Sequence, residues 1–135
     1  MIEITDKPIS PEKVVDKVKT PGSGCALAYV GLIRDESRGK KVASVEYRDV
    51  TGKAAGGLQQ IADEIRAKWP VNEVAITHRT GKLNVGDINL VIAISAGHRG
   101  EAFAASQYAV DRFKETLPTY KTETYTDGTT YIGGG

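Results

Sequence analysis

The sequence predicts an α+β fold with a mostly antiparallel sheet, and three features indicate it. Short apolar segments of strand character outnumber the helical segments along the chain. Apolar residues recur at three- and four-residue steps in two long stretches, 51–69 and 98–117, which is the helical period. Asp127-Gly128 separates two short segments near the end, and this dipeptide favours a tight hairpin turn. With 135 residues, 40% of them hydrophobic, the chain is most simply one domain spanning 1–135.

The first elements follow from local signals. Residues 2–4 predict a short strand. A helix is expected from Ser10 to about Lys19, because serine caps the free N–H groups of a helix and the following proline suits its first turn. The apolar segment 25–33 predicts a strand buried on both faces. The charged segment 35–41 predicts a mobile surface loop.

The remaining elements continue this alternation. They are a strand at 42–50, a helix at 51–69, strands at 71–79 and 88–95, a helix at 98–117, and strands at 119–126 and 129–132. A glycine-containing connection at 80–87 joins the two middle strands. The apolar positions of the last helix are expected to be buried; they are Ala102, Phe103, Ala109, Val110, Phe113 and Leu117.

Composition argues against several classes of protein. A net charge of +1 does not indicate wholesale binding to nucleic acid or membranes. No apolar run approaches the roughly 18–20 residues of a membrane span, and the first residues do not resemble a signal peptide. Cys25 is the single cysteine, which excludes an internal disulfide, fits the reducing cytoplasm and, in its apolar segment, predicts a buried, inert thiol. Two histidines and one cysteine without clustered carboxylates predict neither a metal site nor a cofactor.

The segment 91–123 holds the strongest candidates for a functional site. His98 and Arg99 follow an apolar strand where a helix begins, and the free N–H groups of a helix N-terminus favour anions. Lys114 lies near the end of that helix, and Lys121 follows seven residues later. Lysines beside an acyl group can act as a nucleophile or general base. The pattern predicts a site for a phosphate-bearing substrate with a reacting carbonyl or acyl group.

Other cationic residues leave two interpretations open. Arg34 ends a strand and is either a solvated side chain or a clamp for phosphate or carboxylate. His78-Arg79 precedes a glycine-containing turn, which favours a structural or interface role. The alternative for His98 and Arg99 is a helix cap beside a surface arginine, and Lys114 and Lys121 can each be solvated.

Taken together, these residues resemble the large subunit of molybdopterin synthase, a family in the molybdenum cofactor pathway. The matching segments are Tyr29–Arg34, Val45–Tyr47, His78–Gly86, Ser95–Arg99, Ala102-Phe103, Lys114 and Pro118–Glu123. The combination of HRxGxLxVG, a second HR about twenty residues later and PxYKxE is specific, and the resemblance extends from about Cys25 to Ile132.

The resemblance implies an α/β hammerhead-type fold and a homodimer at the centre of a heterotetramer. It implies a small ubiquitin-like sulfur carrier whose C-terminal Gly-Gly thiocarboxylate enters the large subunit's pocket. Two sulfurs then pass to cyclic pyranopterin monophosphate to give molybdopterin. On this resemblance Lys114 and Lys121 are the catalytic lysines, and Arg34, His98 and Arg99 bind the substrate.

The sequence also departs from the family pattern. Tyr120 stands where a tryptophan is usual. The family commonly continues with an arginine that reaches the partner subunit's pocket, where this sequence has Gly133–Gly135. Arg38, Lys40 and Lys41 are candidate replacements for that cation. The glycines either form a frayed end or imitate the carrier's tail. Two rival functions therefore remain: a non-catalytic paralogue that keeps the dimer and carrier groove, and a phosphate-ligand binding domain outside the pathway.

Overall fold

The computed structural model describes residues 1–134, which form three helices and nine strands. The elements are β1 (Ile2–Thr5), α1 (Pro11–Asp16), β2 (Cys25–Leu32), β3 (Glu36–Ser37), β4 (Lys40–Arg48), α2 (Ala54–Lys68), β5 (Val71–Arg79), β6 (Gly81–Asn84), β7 (Ile88–Ala96), α3 (Arg99–Thr116), β8 (Tyr120–Tyr125) and β9 (Thr130–Gly134). Among the described strands, β1 and β5 pair in parallel and the other pairs are antiparallel. The predicted α+β class with mostly antiparallel sheets is confirmed.

The first sheet has the strand order β1-β5-β7-β2 and carries the main core. Helices α2 and α3 pack on one face, where Ile92 and Ile94 of β7 meet Leu58 and Phe113. Helix α1 covers part of the other face against Val91 and Ala93. Because β7 is covered on both sides, its sequence is almost continuously apolar.

The second sheet has the order β3-β4-β8-β9, with β6 also paired to β4. Its smaller core contains Ile33, Val45, Tyr47, Leu83 and Tyr125. Strand β6 lies inside the predicted connection 80–87. It forms because Gly81, with a φ of +93°, turns the chain back so that 81–84 pairs with β4.

Two predictions about strands and loops are wrong. The segment 25–33 was expected to be buried on both faces, but β2 is an edge strand with Ala28 and Val30 exposed. The segment 35–41 was expected to be a mobile loop, but β3 and the start of β4 form a hairpin that turns through Arg38 and Gly39, at φ of +56° and +77°. Positive φ at both turn positions gives the backbone twist that a hairpin needs. Ser37 bonds to Glu123 on β8 and Arg38 stacks on Tyr131 on β9, so residues far along the chain hold the hairpin in place.

The helix boundaries and buried faces also differ in detail. The Ser10 cap is confirmed by a bond from the Lys13 N–H to its Oγ, but α1 ends at Asp16, where tighter i to i−3 backbone bonds replace the helix. Helix α2 begins at Ala54 rather than residue 51, after a turn at Gly52. The prediction for Phe103 is wrong: its side chain is 59% exposed. The buried stripe of α3 is instead Ala102, Ala105, Ala109 and Phe113.

The C-terminal hairpin is confirmed around Asp127-Gly128, where the Gly128 φ is +88°. Gly133 and Gly134 belong to β9 and pair with β8, so the expectation of a frayed end is wrong for these two residues, and Gly135 lies outside the described residues. The Cys25 thiol, expected to be buried, is only half-buried, because β2 is at the edge of its sheet. No helix within residues 1–134 has the length and apolar character needed to cross a membrane.

Candidate functional site

A cavity of about 450 Å³ opens where the two sheets meet the end of α3. Its apolar wall includes Val45, Leu90 and Phe113. Its polar lining consists of Tyr29, Arg34, Ser37, Tyr47, Asn89, Lys114, Lys121 and Glu123. Three of the five predicted site residues, namely Arg34, Lys114 and Lys121, therefore line one cavity.

Both lysines line the cavity because the chain reverses sharply between them. Lys114 lies in the last turn of α3, and Lys121 is the second residue of β8. Between them, Leu117 has φ and ψ of +29° and +87°, a conformation that costs energy for a residue with a branched side chain. Thr119 is fully buried immediately before β8 begins. This tight exit from the helix brings both lysines to the same cavity.

Glu123 places a carboxylate among these cations. It accepts hydrogen bonds from the Ser37 hydroxyl at 2.9 Å and from the Tyr125 hydroxyl at 2.7 Å, and its Oε2 lies 3.6 Å from the Lys121 Nζ. Burial alone would raise the pKa of Glu123, but the bonds from Tyr125 and Ser37 and the charge of Lys121 outweigh it and hold the pKa below its usual value. Glu123 is therefore ionised at neutral pH and connects β8 to the β3–β4 hairpin.

Tyr47 contributes a neutral hydroxyl to the cavity. Its oxygen accepts a hydrogen bond from the Asn89 Nδ2 at 3.1 Å. Burial raises the pKa of Tyr47 to about 12, against the opposing effect of this bond, so the phenol keeps its proton at neutral pH. Gly31 allows Asn89 to come this close, because a Cβ at position 31 would lie 2.7 Å from the Asn89 Oδ1.

His98 and Arg99 do not line this cavity. They are exposed at the N-terminus of α3, whereas Lys114 is at its C-terminal end. Lys114 is fifteen positions after Arg99, so the two lie about 22 Å apart along the helix axis, at about 1.5 Å per residue. One copy of the chain therefore separates the predicted site residues into two groups.

The three candidate replacements for the C-terminal arginine also lie elsewhere. The Arg38 guanidinium stacks 3.8 Å above the centroid of the Tyr131 ring. The Lys40 Nζ lies 3.1 Å from an oxygen of Asp127, and the Lys41 Nζ lies 3.7 Å from one of Glu36. None of the three lines the cavity of its own chain. Their expected role, in the pocket of a partner subunit, stays a prediction.

The structural role favoured for the first HR pair fits the structure. His78 is fully buried, and both of its ring nitrogens are hydrogen-bonded. The Arg79 Nη1 lies 3.8 Å from the Asp87 Oδ2, so an ion pair joins the residues on either side of β6.

Sequence reasoning missed five polar lining residues: Tyr29, Ser37, Tyr47, Asn89 and Glu123. Glu123 had a detectable signal, because residues two apart on a strand point to the same face and Glu123 follows Lys121 at that spacing. Ser37 and Asn89 gave none, since their roles depend on residues far along the chain. Among residues 1–134 no three His, Cys, Asp or Glu side chains cluster in a way that could hold a metal ion.

A family model described as the MoaE protein matches residues 4–116. The chain belongs to this family. Among other members, it is 38% identical over 130 residues to the molybdopterin synthase catalytic subunit of Halalkalibacterium halodurans, covering 96% of this chain and 83% of that protein. It is 39% identical over 131 residues to the subunit of the same name from Staphylococcus carnosus, covering 97% and 87%.

The fold of this MoaE family member agrees with a solved structure. The crystal structure of molybdopterin synthase from Staphylococcus aureus superposes with a TM-score of 0.90 at 34% identity, covering 98% of this chain and 96% of that one. The family model ends at residue 116, whereas the structural match covers nearly the whole of both chains. It therefore includes the segment from Lys114 to Glu123.

Proposed function

We propose that the chain is a molybdopterin synthase catalytic subunit. It transfers sulfur from the C-terminal thiocarboxylate of a small ubiquitin-like carrier to cyclic pyranopterin monophosphate, in the cytoplasm. Curated relatives of near-equal length carry the name of this enzyme. The observation that carries the proposal is the convergence of Lys114, Lys121 and Arg34 on one cavity, because the reaction joins an anionic substrate to an anionic acyl donor.

The lysines act on the acyl group of the carrier. In each transfer water adds to the carrier's acyl carbon, the carrier's carbon–sulfur bond breaks, and the carrier is left as a carboxylate. At the substrate carbon a carbon–sulfur bond forms while a carbon–oxygen bond breaks, and the departing oxygen takes up a proton. Lys114 stabilises the negative charge that develops on the acyl carbon's substituents as sulfur departs. Lys121, ion-paired with Glu123, moves a proton or adds a second stabilising charge. Phe113 forms part of the apolar wall of the cavity beside Lys114.

The arginines and His98 hold the substrate. Arg34 is exposed at the cavity, where its guanidinium can bind phosphate through two parallel hydrogen bonds. His98 and Arg99 are too far from Lys114 to serve the same cavity in one copy of the chain. In the homodimer implied by the resemblance, we place them at the cavity of the second copy, so that each site uses both chains.

The test is a reconstituted reaction with thiocarboxylated carrier and cyclic pyranopterin monophosphate, followed by mass spectrometry of the dithiolene product. Wild-type protein is expected to form product, and Lys114→Ala to lose at least about 100-fold in rate, the scale on which a transition-state charge partner acts. Carrier binding, measured by calorimetry, stays within a few fold. Lys68→Ala is the matched control, because Lys68 is exposed at the end of α2, away from the cavity.

The outcomes separate the rival functions. Carrier binding by the wild type without product would identify a non-catalytic paralogue that keeps the carrier groove. Absence of both binding and product would identify a phosphate-ligand domain outside the pathway. Near-normal turnover of Lys114→Ala would reject the role given to Lys114 while leaving the enzyme assignment in place.

A further inference from the structure

His78 is a buried polar side chain between the two lysine-bearing segments. It is 0% exposed near the end of β5, and its Nδ1 and Nε2 lie 2.8 Å from the Asn89 carbonyl oxygen and 2.9 Å from the Thr119 Oγ1. Its ring also makes edge-on contacts with Tyr47 and Phe113, at centroid distances of 5.0 and 5.2 Å. Two hydrogen bonds and two aromatic contacts therefore hold the ring in one orientation.

The hydrogen bonds define the tautomer of the ring. A carbonyl oxygen only accepts, so the Nδ1 carries a hydrogen and donates to Asn89. Burial lowers the pKa of His78, with the Asn89 carbonyl acting in the opposite direction, so the ring is neutral. The Nε2 is then an acceptor, and the Thr119 hydroxyl donates to it.

The residues around the ring connect it to the catalytic lysines. Phe113 immediately precedes Lys114 in the last turn of α3. Thr119 is two residues before Lys121, and Tyr47 is directly opposite Lys121 in the β4–β8 ladder. A single rigid ring thus contacts the backbone segment of each lysine and the strand beside one of them.

The segment between the two lysines needs contacts that hold its conformation. Leu117 has a positive φ, a strained conformation that persists only where its surroundings enforce it. On one side Pro118 packs against α2, where a Cβ at Gly57 would lie 3.3 Å from the Pro118 Cβ. On the other side the only side-chain bond of Thr119 within the described residues is the one to His78.

We propose that His78 is a positioning residue for the sulfur transfer described above. By holding Phe113 and Thr119 at once, it fixes the distance between Lys114 and Lys121 and their aim into the cavity. It does not touch the substrate. The proposal rests on the proposed function for its kinetic consequence, whereas the geometric consequence can be measured without turnover.

The test compares three substitutions of buried threonines. Thr119→Val removes the donor to His78 at constant shape, and Thr119→Ser restores it. Thr77→Val is the matched control, because Thr77 lies next to His78 on β5, is 3% exposed, and has an Oγ1 without a hydrogen-bond partner among the described residues. We expect Thr119→Val to lower kcat about 10- to 100-fold with little change in KM, as for a small misplacement of reacting groups. Thr119→Ser and Thr77→Val stay within about twofold of wild type.

A second readout is independent of the reaction. Lysines are labelled by reductive methylation with carbon-13, and the Lys114 and Lys121 signals are compared by NMR. We expect both signals to move in Thr119→Val and to stay in place in Thr77→Val. If the wild type forms no product, the proposed function fails, and these signals alone decide whether His78 positions the lysines.

Three results would overturn the proposal. The first is a kcat of Thr119→Val that stays within twofold of wild type. The second is a loss of kcat in Thr119→Ser as large as that in Thr119→Val. The third is that the Lys114 and Lys121 signals do not move in Thr119→Val. If Thr119→Val does not fold, His78→Asn replaces it, because the shorter amide still donates to the Asn89 carbonyl but does not reach Thr119. The same loss in kcat and the same movement of both lysine signals are then required.

Discussion

The two ends of α3 differ in how much of their surroundings the chain itself provides. At the C-terminal end, Phe113 is buried, Lys114 faces a cavity, and the exit through Leu117 is strained. At the N-terminal end, His98 and Arg99 are exposed and make no side-chain hydrogen bond or ion pair within the part of the chain that the structure describes. The C-terminal end is thus held by contacts within this chain, while the N-terminal end exposes its cations to solvent. The contrast indicates which half of the site one copy can build alone.

The largest expected difference between the ends is in stability. Phe113→Ala should lower the free energy of unfolding by about 3–5 kcal/mol, because it leaves a cavity between the helices and the sheet. Phe103→Ala, the matched change on the exposed face, should stay within about 0.5 kcal/mol at protein concentrations where the chain is a monomer. Urea denaturation measures both values. At higher concentrations, a loss for Phe103→Ala approaching that of Phe113→Ala would show that a partner covers the N-terminal end.

The second test asks whether the two ends act in different copies. A His98→Ala/Arg99→Ala variant and a Lys114→Ala variant are each expected to lose about 100-fold in rate. Mixing them through unfolding and refolding should restore about a quarter of wild-type activity, because half of the random dimers then carry one intact site of two. Continued inactivity of the mixture would contradict the shared site, whatever each variant does alone.

The third and smallest effect concerns the carboxylate at the cavity. Glu123→Gln should lower the free energy of unfolding at neutral pH by about 1–3 kcal/mol, since it weakens a buried, charge-assisted network. Glu101→Gln is the matched change in the first turn of α3, where a carboxylate beside the helix N-terminus contributes only about 0.3–1 kcal/mol.

The pH dependence of Glu123→Gln has a definite sign. Because the folded state holds the pKa of Glu123 below its ordinary value of 4.5, the stabilisation is complete above that value. It is lost as the pH falls from there through the lowered pKa. Wild type should therefore lose more stability on acidification than Glu123→Gln in urea denaturation series at several pH values. Parallel losses in the two proteins would show that Glu123 is not the group responsible.

Local patterns were sufficient for most of the fold. The helical period located α2 and α3, the Ser10-Pro11 signal located the start of α1, and Asp127-Gly128 located the last hairpin. These signals act over a few residues, where capping, turn geometry and apolar spacing are decided. Predictions failed where an element takes its environment from distant residues: β2 is an edge strand, and the β3–β4 hairpin is anchored on β8 and β9.

The same division holds for the candidate site. The sequence by itself determined which side chains carry charge, and it singled out Arg34, His98, Arg99, Lys114 and Lys121. The tertiary structure decided that Arg34, Lys114 and Lys121 share one cavity and that His98 and Arg99 are about 22 Å away along α3. It also added Glu123, whose carboxylate meets Ser37 across eighty-six positions of the chain. Residue type and local spacing are properties of the sequence, whereas distance between remote residues follows only from how the sheets and helices pack.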